Sequence, residues 1–406
     1  TQAFESTFTS GNFADAVAPT VLRTSPPTGA TDVPVNAPFT VEFSEAMDPA
    51  TLTTTNFSVR DNATGQLVPG MVQVDPEYRT ASYVPEQPWA VGRSHTASLN
   101  SLVKDAARNS LSSQFFNSFD FTTGFAADTQ APQLVATSPA DGDTGVATNA
   151  LIMIAFDEPV NPVTLVRAFR VAANGQQVAG SIALSGGNRV VTLTTGSALA
   201  ASTLHTVEIG ALISDLAGNL IANPGSFSFQ TGQAADTVRP TITSVEPANN
   251  SVDIPTNVKI QVTFSERVNP ISVTESTFFL TDFNTGAMIP GSISVAPNRL
   301  SASFVPAALA GSTKYRVTVS GVTDLTAQTA SFFSSTFTTG LGADGDGPMV
   351  VAVSPPDGTT GVPVNARVVV QLNEPVSALS VGSEAIQVSS AGGAVGGAIS
   401  LSTDRR

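Results

Sequence analysis

The sequence predicts an all-β protein made of tandem β-sandwich domains arranged as beads on a string. Three observations predict this fold class: one long motif recurs four times along the 406 residues, short apolar segments alternate with a period of two, and glycine and proline separate those segments. No segment shows the apolar periodicity of a capped amphipathic helix. A chain of this length also exceeds one ordinary hydrophobic core, so several domains are expected.

The repeat is defined by an opening motif and a closing motif. The opening motif contains a proline and, ten residues later, an asparagine, and it ends in a glutamate preceded by an apolar residue and a polar one. Its prolines are Pro26, Pro139, Pro247 and Pro355, and its asparagines are Asn36, Asn149, Asn257 and Asn365. The closing motif, Phe-x-x-Gly, begins at Phe8, Phe121, Phe229 and Phe337.

These spacings predict five segments. They are the last strand of a preceding domain over residues 1–17, complete repeats over 18–126, 127–234 and 235–342, and the first half of a fourth repeat over 343–406. The two flanking pieces are interpreted as parts of a longer array. The other hypothesis is that the strand expected at residues 3–10 completes the unfinished domain of a neighbouring chain by strand addition.

Within one repeat the pattern predicts about seven strands. In repeat 2, residues 151–156 form a short apolar run, residues 190–194 and 204–209 alternate, and Phe227 and Phe229 place both rings on one face. Roughly seven strands in about 100 residues match an immunoglobulin-type sandwich.

Two repeat positions predict how one end of the sandwich is closed. An apolar side chain is expected to plug the corner before the sixth strand, and a ring six residues later is expected to bond the backbone, as in a tyrosine corner. The plugs are Trp89, Leu199 and Leu309, and the rings are His95, His205 and Tyr315. Both histidines are therefore interpreted as structural. The repeated asparagine is expected to bond the local backbone of its own turn.

Composition excludes several function classes. A net charge of −14, with three lysines and no basic run, argues against nucleic-acid binding. The absence of cysteine excludes disulfides, thiolate metal sites and a cysteine nucleophile. The longest apolar run, residues 150–156, is far shorter than the roughly 20 residues that a membrane helix needs. Without a catalytic constellation, we expect neither an enzyme nor a required cofactor.

Acidic residues recur where three connections of a sandwich are expected to converge: the linker, the loop after the second strand and the loop before the last strand. The linker contributes Asp15, Asp128, Asp236 and Asp344; the second strand's end contributes Glu45, Asp157, Glu158, Glu266 and Glu374; the last loop contributes Asp105, Asp215 and Asp324. Carboxylates suit Ca²⁺, which takes about six to eight oxygen ligands. One hypothesis is therefore structural calcium at the junctions; the other is that these acids are ordinary turn and capping residues.

The motifs together resemble a known family. The pattern Ser-Pro-x-x-Gly-x-x-x-Val-Pro-x-Asn, then Phe-Ser-Glu, Asp-x-Ala-Gly-Asn and Phe-Thr-Thr-Gly, is similar to the bacterial Ig-like domains of surface-layer proteins over essentially the whole chain. Residues 215–219 match the third motif best, residues 105–109 depart from it at the glycine, and residues 324–328 depart at both glycine and asparagine. The resemblance implies stalks, lattice units, adhesin spacers or enzyme appendages.

We therefore expect an extracellular structural protein, a subunit of a bacterial cell-surface filament, sheath or surface layer that associates with itself. The alternative is an adhesin stalk or a spacer that carries a binding or catalytic domain outside this segment. Sugar recognition within the chain is disfavoured, because one tryptophan and three tyrosines offer few aromatic platforms.

Overall fold

The fold is described from a computed structural model, which covers residues 13–112, 117–377, 381, 385–402 and 405. The strand predicted at residues 3–10 lies outside these described residues. The chain divides into two units, Thr1–Ala235 and Asp236–Arg406. Repeats 1 and 2 lie in the first unit, and repeats 3 and 4 lie in the second.

Repeat 1 consists of two four-stranded sheets. Its elements are β1 (Val21–Ser25), β2 (Ala30–Val33), β3 (Phe39–Phe43), a 3-10 helix (Pro49–Thr51), β4 (Phe57–Asp61), β5 (Gly70–Val74), β6 (Thr80–Pro85), β7 (Ser94–Leu99) and β8 (Ser118–Thr123). The sheet orders are β1-β3-β6-β5 and β2-β8-β7-β4. All pairs are antiparallel except β2 with β8, which is parallel. This arrangement confirms the predicted immunoglobulin-type sandwich.

Repeat 2 has the same layout with one helix added. Its elements are β9 (Leu134–Ser138), β10 (Ile152–Phe156), α1 (Pro162–Ala168), β11 (Phe169–Ala173), β12 (Gln176–Gln177), β13 (Gly180–Ser185), β14 (Val190–Thr195), β15 (Leu204–Ile209) and β16 (Gly225–Gln230). The sheet orders are β13-β14-β10-β9 and β12-β11-β15-β16. The sequence did not predict α1, because seven residues are too few to show a helical period. Local chemistry starts this helix: Asn161 caps it by accepting from the Val163 amide at 2.9 Å, and Pro162 follows the cap.

Repeat 3 is again a two-sheet sandwich, and repeat 4 contributes two short sheets. The elements of repeat 3 are β17 (Ile242–Glu246), β18 (Ser251–Ile254), β19 (Ile260–Phe264), a 3-10 helix (Pro270–Ser272), β20 (Phe278–Asp282), β21 (Met288–Ile289), β22 (Gly291–Val295), β23 (Ser301–Pro306), β24 (Lys314–Val319) and β25 (Phe333–Thr339). Its sheets are β17-β19-β23-β22 and β18-β25-β24-β20-β21. In repeat 4, β26 (Val350–Ser354) pairs with β27 (Val369–Leu372), and β28 (Val388–Ser390) pairs with β29 (Gly393–Val395).

Aromatic rings fill the space between the two sheets. In repeat 1, Phe39 and Phe121 are both 1% exposed and stack with ring centroids 5.6 Å apart. Full burial of a side chain of this size contributes about 1.5–3 kcal/mol. Strands such as β4, β7 and β15 alternate between buried residues and more exposed ones, which explains why a period of two predicted the fold.

The corner before the sixth strand is closed as expected. Trp89 is 2% exposed, and its Nε1 donates to the Ala37 carbonyl at 2.6 Å. Nδ1 of His95 lies 3.1 Å from the Arg93 carbonyl, and Nδ1 of His205 lies 3.0 Å from the Thr203 carbonyl. The prediction that both histidines bond the backbone is therefore confirmed.

The third ring plays the same part with a hydroxyl. The Tyr315 hydroxyl accepts from the Ala310 amide at 2.8 Å, and Leu309 packs against the core of repeat 3. Histidine in repeats 1 and 2 and tyrosine in repeat 3 thus serve the same corner, as expected from the shared repeat position.

Candidate functional site at the repeat junctions

The structure brings nine of the twelve predicted acids together in three groups of three. In each group, one carboxylate oxygen from each of the three residues lies within 4.8 Å of the other two. We call these groups acidic triads; they are Asp15–Glu45–Asp105, Asp128–Glu158–Asp215 and Asp236–Glu266–Asp324. Each triad contains one linker acid, one acid two residues after β3, β10 or β19, and one acid of the loop before the last strand of the repeat. The three connections therefore converge as the sandwich topology predicts.

The acid of the last loop is held by the loop itself. Asp215 is 1% exposed; its Oδ1 accepts from the Asn219 amide at 2.9 Å and its Oδ2 from Asn219 Nδ2 at 2.7 Å. Asp105 and Asn109 form the same pair, with both distances 2.8 Å. The aspartate and asparagine of the Asp-x-Ala-Gly-Asn motif therefore close this loop and fix one carboxylate of the triad.

The backbone conformation of the loop explains why the Asp-x-Ala-Gly-Asn motif contains a glycine. Gly218 has φ +93°, and the residues at the same repeat position are also left-handed, Arg108 at 74° and Ala327 at 66°. A side chain in this region costs roughly 1 kcal/mol or more, which glycine avoids. The loop therefore keeps its shape in repeats 1 and 3 despite the departures from the motif.

The linker acid is held through its backbone by the repeated asparagine. Asn36 Nδ2 donates to the Asp128 carbonyl at 2.7 Å, and the Asp128 amide donates back to Asn36 Oδ1 at 2.9 Å. Asn257 binds the backbone of Asp344 in the same way, at 2.7 and 3.0 Å. For Asn36 and Asn257, the prediction that this asparagine bonds the local backbone of its own turn is wrong. Because β8 lies parallel beside β2, the linker after β8 passes next to Asn36.

Asp128 is contacted by the following repeat as well. Asn219 Nδ2, which binds Asp215, also donates to the Asp128 carbonyl at 3.1 Å. One carbonyl oxygen therefore receives amide hydrogens from repeat 1 and from repeat 2. We call Asn36, Asp128 and Asn219 the linker clamp. Neither asparagine was predicted to bind the linker, although their recurrence in step with the linker acid was the available signal.

Burial and repulsion between the acids raise the pKa of the glutamate in two of the triads, so that these glutamates are partly protonated near pH 7. Burial raises the pKa of Glu158 to about 7, and the negative charges of Asp128, Asp215 and Asp157 add to the effect. Burial likewise raises the pKa of Glu266 to about 7, helped by Asp236 and Asp324.

The pKa values of Glu45, in the first triad, and of Asp215, in the last loop of repeat 2, are raised as well. Burial, followed by the charges of Asp15 and Asp105, raises the pKa of Glu45, and burial raises that of Asp215. Among the described residues, Oε1 of Glu266 is buried and has no hydrogen-bond partner. In the triads of repeats 2 and 3, a proton or a cation would therefore neutralise part of the negative charge near neutral pH.

Asp157 lies outside its triad, contrary to the prediction. Its Oδ1 accepts from the Gln133 amide at 2.8 Å and caps the start of β9. A short polar side chain does the same at this position in the other repeats: Ser44 for Thr20, Ser265 for Thr241 and Asn373 for Met349. Alignment of the repeats could have revealed this role, because serine, asparagine and aspartate at one repeat position share the ability to accept from a backbone amide but not a negative charge.

Asp344 and Glu374 belong to no group of three acids in the part of the chain that the structure describes. Oδ1 of Asp344 accepts from the Asp346 amide at 3.1 Å. The first two acids of a fourth triad are thus present, and no third acid accompanies them among the described residues.

Comparison with known proteins places these repeats in a family. The profile of the bacterial Ig-like domain matches residues 15–123, 128–231, 236–339 and 344–406, and each match begins at the linker aspartate. No curated protein matches the chain at a significant level. No helix among the described residues has the length and hydropathy needed to cross a membrane.

Solved structures with a related fold are distant. The S-layer protein SbsC, residues 31–844, shares 11% identity with a TM-score of 0.23 over 82% of this chain and 56% of its own. CopC from Methylosinus trichosporium OB3b shares 19% identity with a TM-score of 0.22 over 26% of this chain and 99% of its own. The chain thus spans about half of that S-layer chain, and at these scores neither likeness bears on function. The profile, in contrast, covers nearly the whole sequence, and the chain belongs to the bacterial Ig-like domain family.

Proposed function

We propose that the chain is an extracellular structural protein of a bacterial cell surface, a subunit of a filament, sheath or surface layer, whose junctions are stiffened by Ca²⁺. The observation that carries the proposal is the shared linker residue. Asp128 is bound through its backbone by Asn36 of repeat 1 and Asn219 of repeat 2, while its carboxylate joins the triad of repeat 2. A joint that is held from both sides suits a protein that spaces or encloses.

A structural role also accounts for the groups that could have been catalytic. His95 and His205 are fully buried, and burial lowers the pKa of both imidazoles. Their Nδ1 atoms are bonded to backbone carbonyls, so they serve the fold. We therefore propose that the repeats themselves carry out no catalysis.

Calcium is the cation that the triads suit best. Three carboxylates within 4.8 Å supply hard oxygen ligands and a net negative charge, and Ca²⁺ accepts flexible coordination by about six to eight oxygens. Water and nearby carbonyls would complete the shell. Burial, with repulsion from the neighbouring acids, raises the pKa of Glu158 and Glu266. A bound cation would offset both costs of ionisation and so would stabilise each junction.

Electron microscopy of the purified chain tests the assembly role. We expect ordered filaments or sheets in millimolar Ca²⁺ and fewer of them in EGTA. Isolated particles under both conditions would contradict self-assembly and would instead favour a stalk or spacer for a domain outside this segment.

Calorimetry tests the metal separately. We expect Ca²⁺ to raise the melting temperature of the wild-type chain and to have a smaller effect on the triple variant Asp128→Asn, Glu158→Gln, Asp215→Asn. The matched control is Asp157→Asn, an adjacent acid outside the triad, which should retain the full Ca²⁺ effect. Equal melting temperatures in Ca²⁺ and EGTA would contradict calcium binding.

A further inference from the structure

The outer face of one sheet in repeat 3 carries two cations over an exposed aromatic ring. Nζ of Lys314 lies 4.5 Å and Cζ of Arg316 lies 4.6 Å from the centroid of the Phe283 ring, which is 38% exposed. Met288, 54% exposed, follows on the edge strand β21, and Phe279 is half-buried on β20. We call these five residues the cationic face.

Strand alternation determines which side chains lie on this face. On β24, Tyr315 and Val317 are buried in the core, so Lys314 and Arg316 lie on the opposite side. The turn after β20 places the backbone of Phe283 beside Lys314, because the Phe283 amide donates to the Lys314 carbonyl at 2.9 Å. The three side chains are therefore held together before any partner arrives.

The two cations have no acidic partner in the described part of the chain within ion-pair distance. Other cations do: Arg23 lies 2.8 Å from Glu42, and Arg93 lies 3.0 Å from Asp61. A cation held over an aromatic ring keeps its charge and has already lost part of its rotamer freedom, which lowers the cost of binding an anion.

The sandwich itself does not require this face. At the positions equivalent to Lys314 and Arg316, repeat 1 has Ser94 and Thr96, and repeat 2 has Leu204 and Thr206. Aromatic residues, methionine and arginine are the types enriched at protein interfaces. Their grouping in one repeat points to recognition rather than to folding.

Charge complementarity indicates the partner. Repeat 3, residues 235–342, has six basic and seven acidic residues, whereas the rest of the chain has 12 basic and 25 acidic ones. A second copy of the chain therefore offers an acidic surface outside its own repeat 3. We propose that the cationic face is a docking surface for a second copy of this chain, which it contacts through the acidic surface of another repeat.

Such a contact joins different surfaces of the two copies. A heterologous contact of this kind leaves one free copy of each surface at the two ends, so it extends into rings or open filaments instead of closing as a symmetric dimer. The inference rests on the proposed self-assembling role and identifies the contact that drives it.

Sedimentation velocity of the full chain in millimolar Ca²⁺ tests the proposal. We expect wild-type chains to associate in about 50 mM NaCl and to dissociate in about 500 mM, because salt screens exposed charges. Lys314→Glu with Arg316→Glu should weaken association at least about tenfold at low salt. Phe283→Ser, which keeps both charges, should weaken it less, because it removes only their ordering.

The matched control is Arg60→Glu with Arg170→Glu, two exposed cations on the equivalent sheets of repeats 1 and 2. These changes alter net charge equally and should leave association within about twofold of the wild type. Thermal melting monitored by circular dichroism checks that each variant folds. If the two double variants weaken association equally, or if neither weakens it, the proposal that the cationic face is the docking surface is contradicted, whereas the proposed self-association of the chain is not. A wild-type chain that stays monomeric at every ionic strength overturns both proposals.

Discussion

The triads of repeats 2 and 3 have the same three acids but different amides beside them. In repeat 2, Asn219 Nδ2 lies 2.7 Å from Asp215 Oδ2 and 3.1 Å from the Asp128 carbonyl. One short side chain therefore closes the loop and ties it to the linker with two good hydrogen bonds.

Repeat 3 has Gln328 at this position, and the contacts are redistributed. Gln328 Nε2 lies 3.4 Å from both Asp324 Oδ2 and the Asp236 carbonyl, and its shortest contact is the Val238 carbonyl at 3.0 Å. The Thr326 hydroxyl donates to Asp324 Oδ1 at 2.9 Å and supports the loop instead. Two contacts are therefore separable: the one that holds the loop aspartate and the one that binds the loop to the linker. Asn219 makes both in repeat 2, whereas Thr326 and Gln328 share them in repeat 3.

The largest expected effect is on pH dependence in the absence of calcium. An unfolded glutamate has a pKa near 4.5, whereas folding raises the pKa of Glu158 and Glu266 to about 7. Between these values the folded chain holds protons that the unfolded chain has released, so the free energy of unfolding falls as pH rises and levels off above 7. The loss should be about 2 kcal/mol per junction, allowing for partial solvent exposure.

Calorimetry in EGTA between pH 5 and pH 8 measures this loss. Glu158→Gln should flatten the slope for repeat 2, and Glu266→Gln should do so for repeat 3. Glu208→Gln, an exposed glutamate on β15, is the control and should change nothing. Repeat 3 gives the cleaner reading, because repeats 1 and 2 each contain a buried histidine whose lowered pKa acts in the opposite direction. A melting temperature of repeat 3 that rises over this range would contradict the account of the triads.

The next largest effect is expected on the free energy of unfolding when the loop aspartate of repeat 2 is removed. Asp215→Ala removes the two carboxylate oxygens that accept from Asn219, and we expect the free energy of unfolding to fall by about 2 kcal/mol at pH 5. The loss should be smaller at pH 8 in EGTA, because the variant also relieves the repulsion on Glu158. Urea unfolding at the two pH values measures the difference, and an equal loss at both would show that the carboxylates do not interact.

A smaller effect is expected at the linker clamp. Asn36→Ala removes two hydrogen bonds to the backbone of Asp128, which should cost about 1 kcal/mol locally. Hydrogen exchange of the linker amides at residues 126–130 should become faster, while strand amides of repeat 1 stay protected. Asn257→Ala should affect residues 342–346 in the same way, and unchanged exchange in both linkers would contradict the clamp.

The smallest change in the free energy of unfolding is expected when asparagine and glutamine are exchanged at the shared position 219 and 328. Gln328→Asn should shorten the contacts to Asp324 and the linker and stabilise repeat 3 by about 0.5 kcal/mol, while Asn219→Gln should destabilise repeat 2 by a similar amount. Chemical denaturation of both variants measures the pair, and two changes of the same sign would contradict the comparison.

Periodic features were predictable from the sequence, and single contacts between distant residues were not. Alternation along β14 and β15 predicted the sheets, and sandwich topology then placed Asp128, Glu158 and Asp215 at one pole. The partner of Asn36 lies 92 residues away and depends on the parallel pairing of β2 with β8, which no local pattern encodes.

Two further misses have local causes. The helix α1 starts from a cap and a proline and is too short to show a period. Asp157 was predicted as a ligand because it adjoins Glu158, but neighbours near the end of a strand point in different directions, and its side chain caps β9 instead. Comparison between repeats is a better guide to such residues than adjacency in the chain.

The most direct test of the proposed stiffening is to measure the distance between one position in repeat 1 and one in repeat 2. The chain has no cysteine, so Gln73→Cys and Ser181→Cys, at two exposed positions, would carry the only spin labels. Double electron–electron resonance should give one narrow distance distribution in Ca²⁺ and a broader one in EGTA, and Asp128→Asn with Asp215→Asn should keep it broad in both. Distributions of equal width with and without Ca²⁺ would contradict the claim that the acidic triads control the junctions.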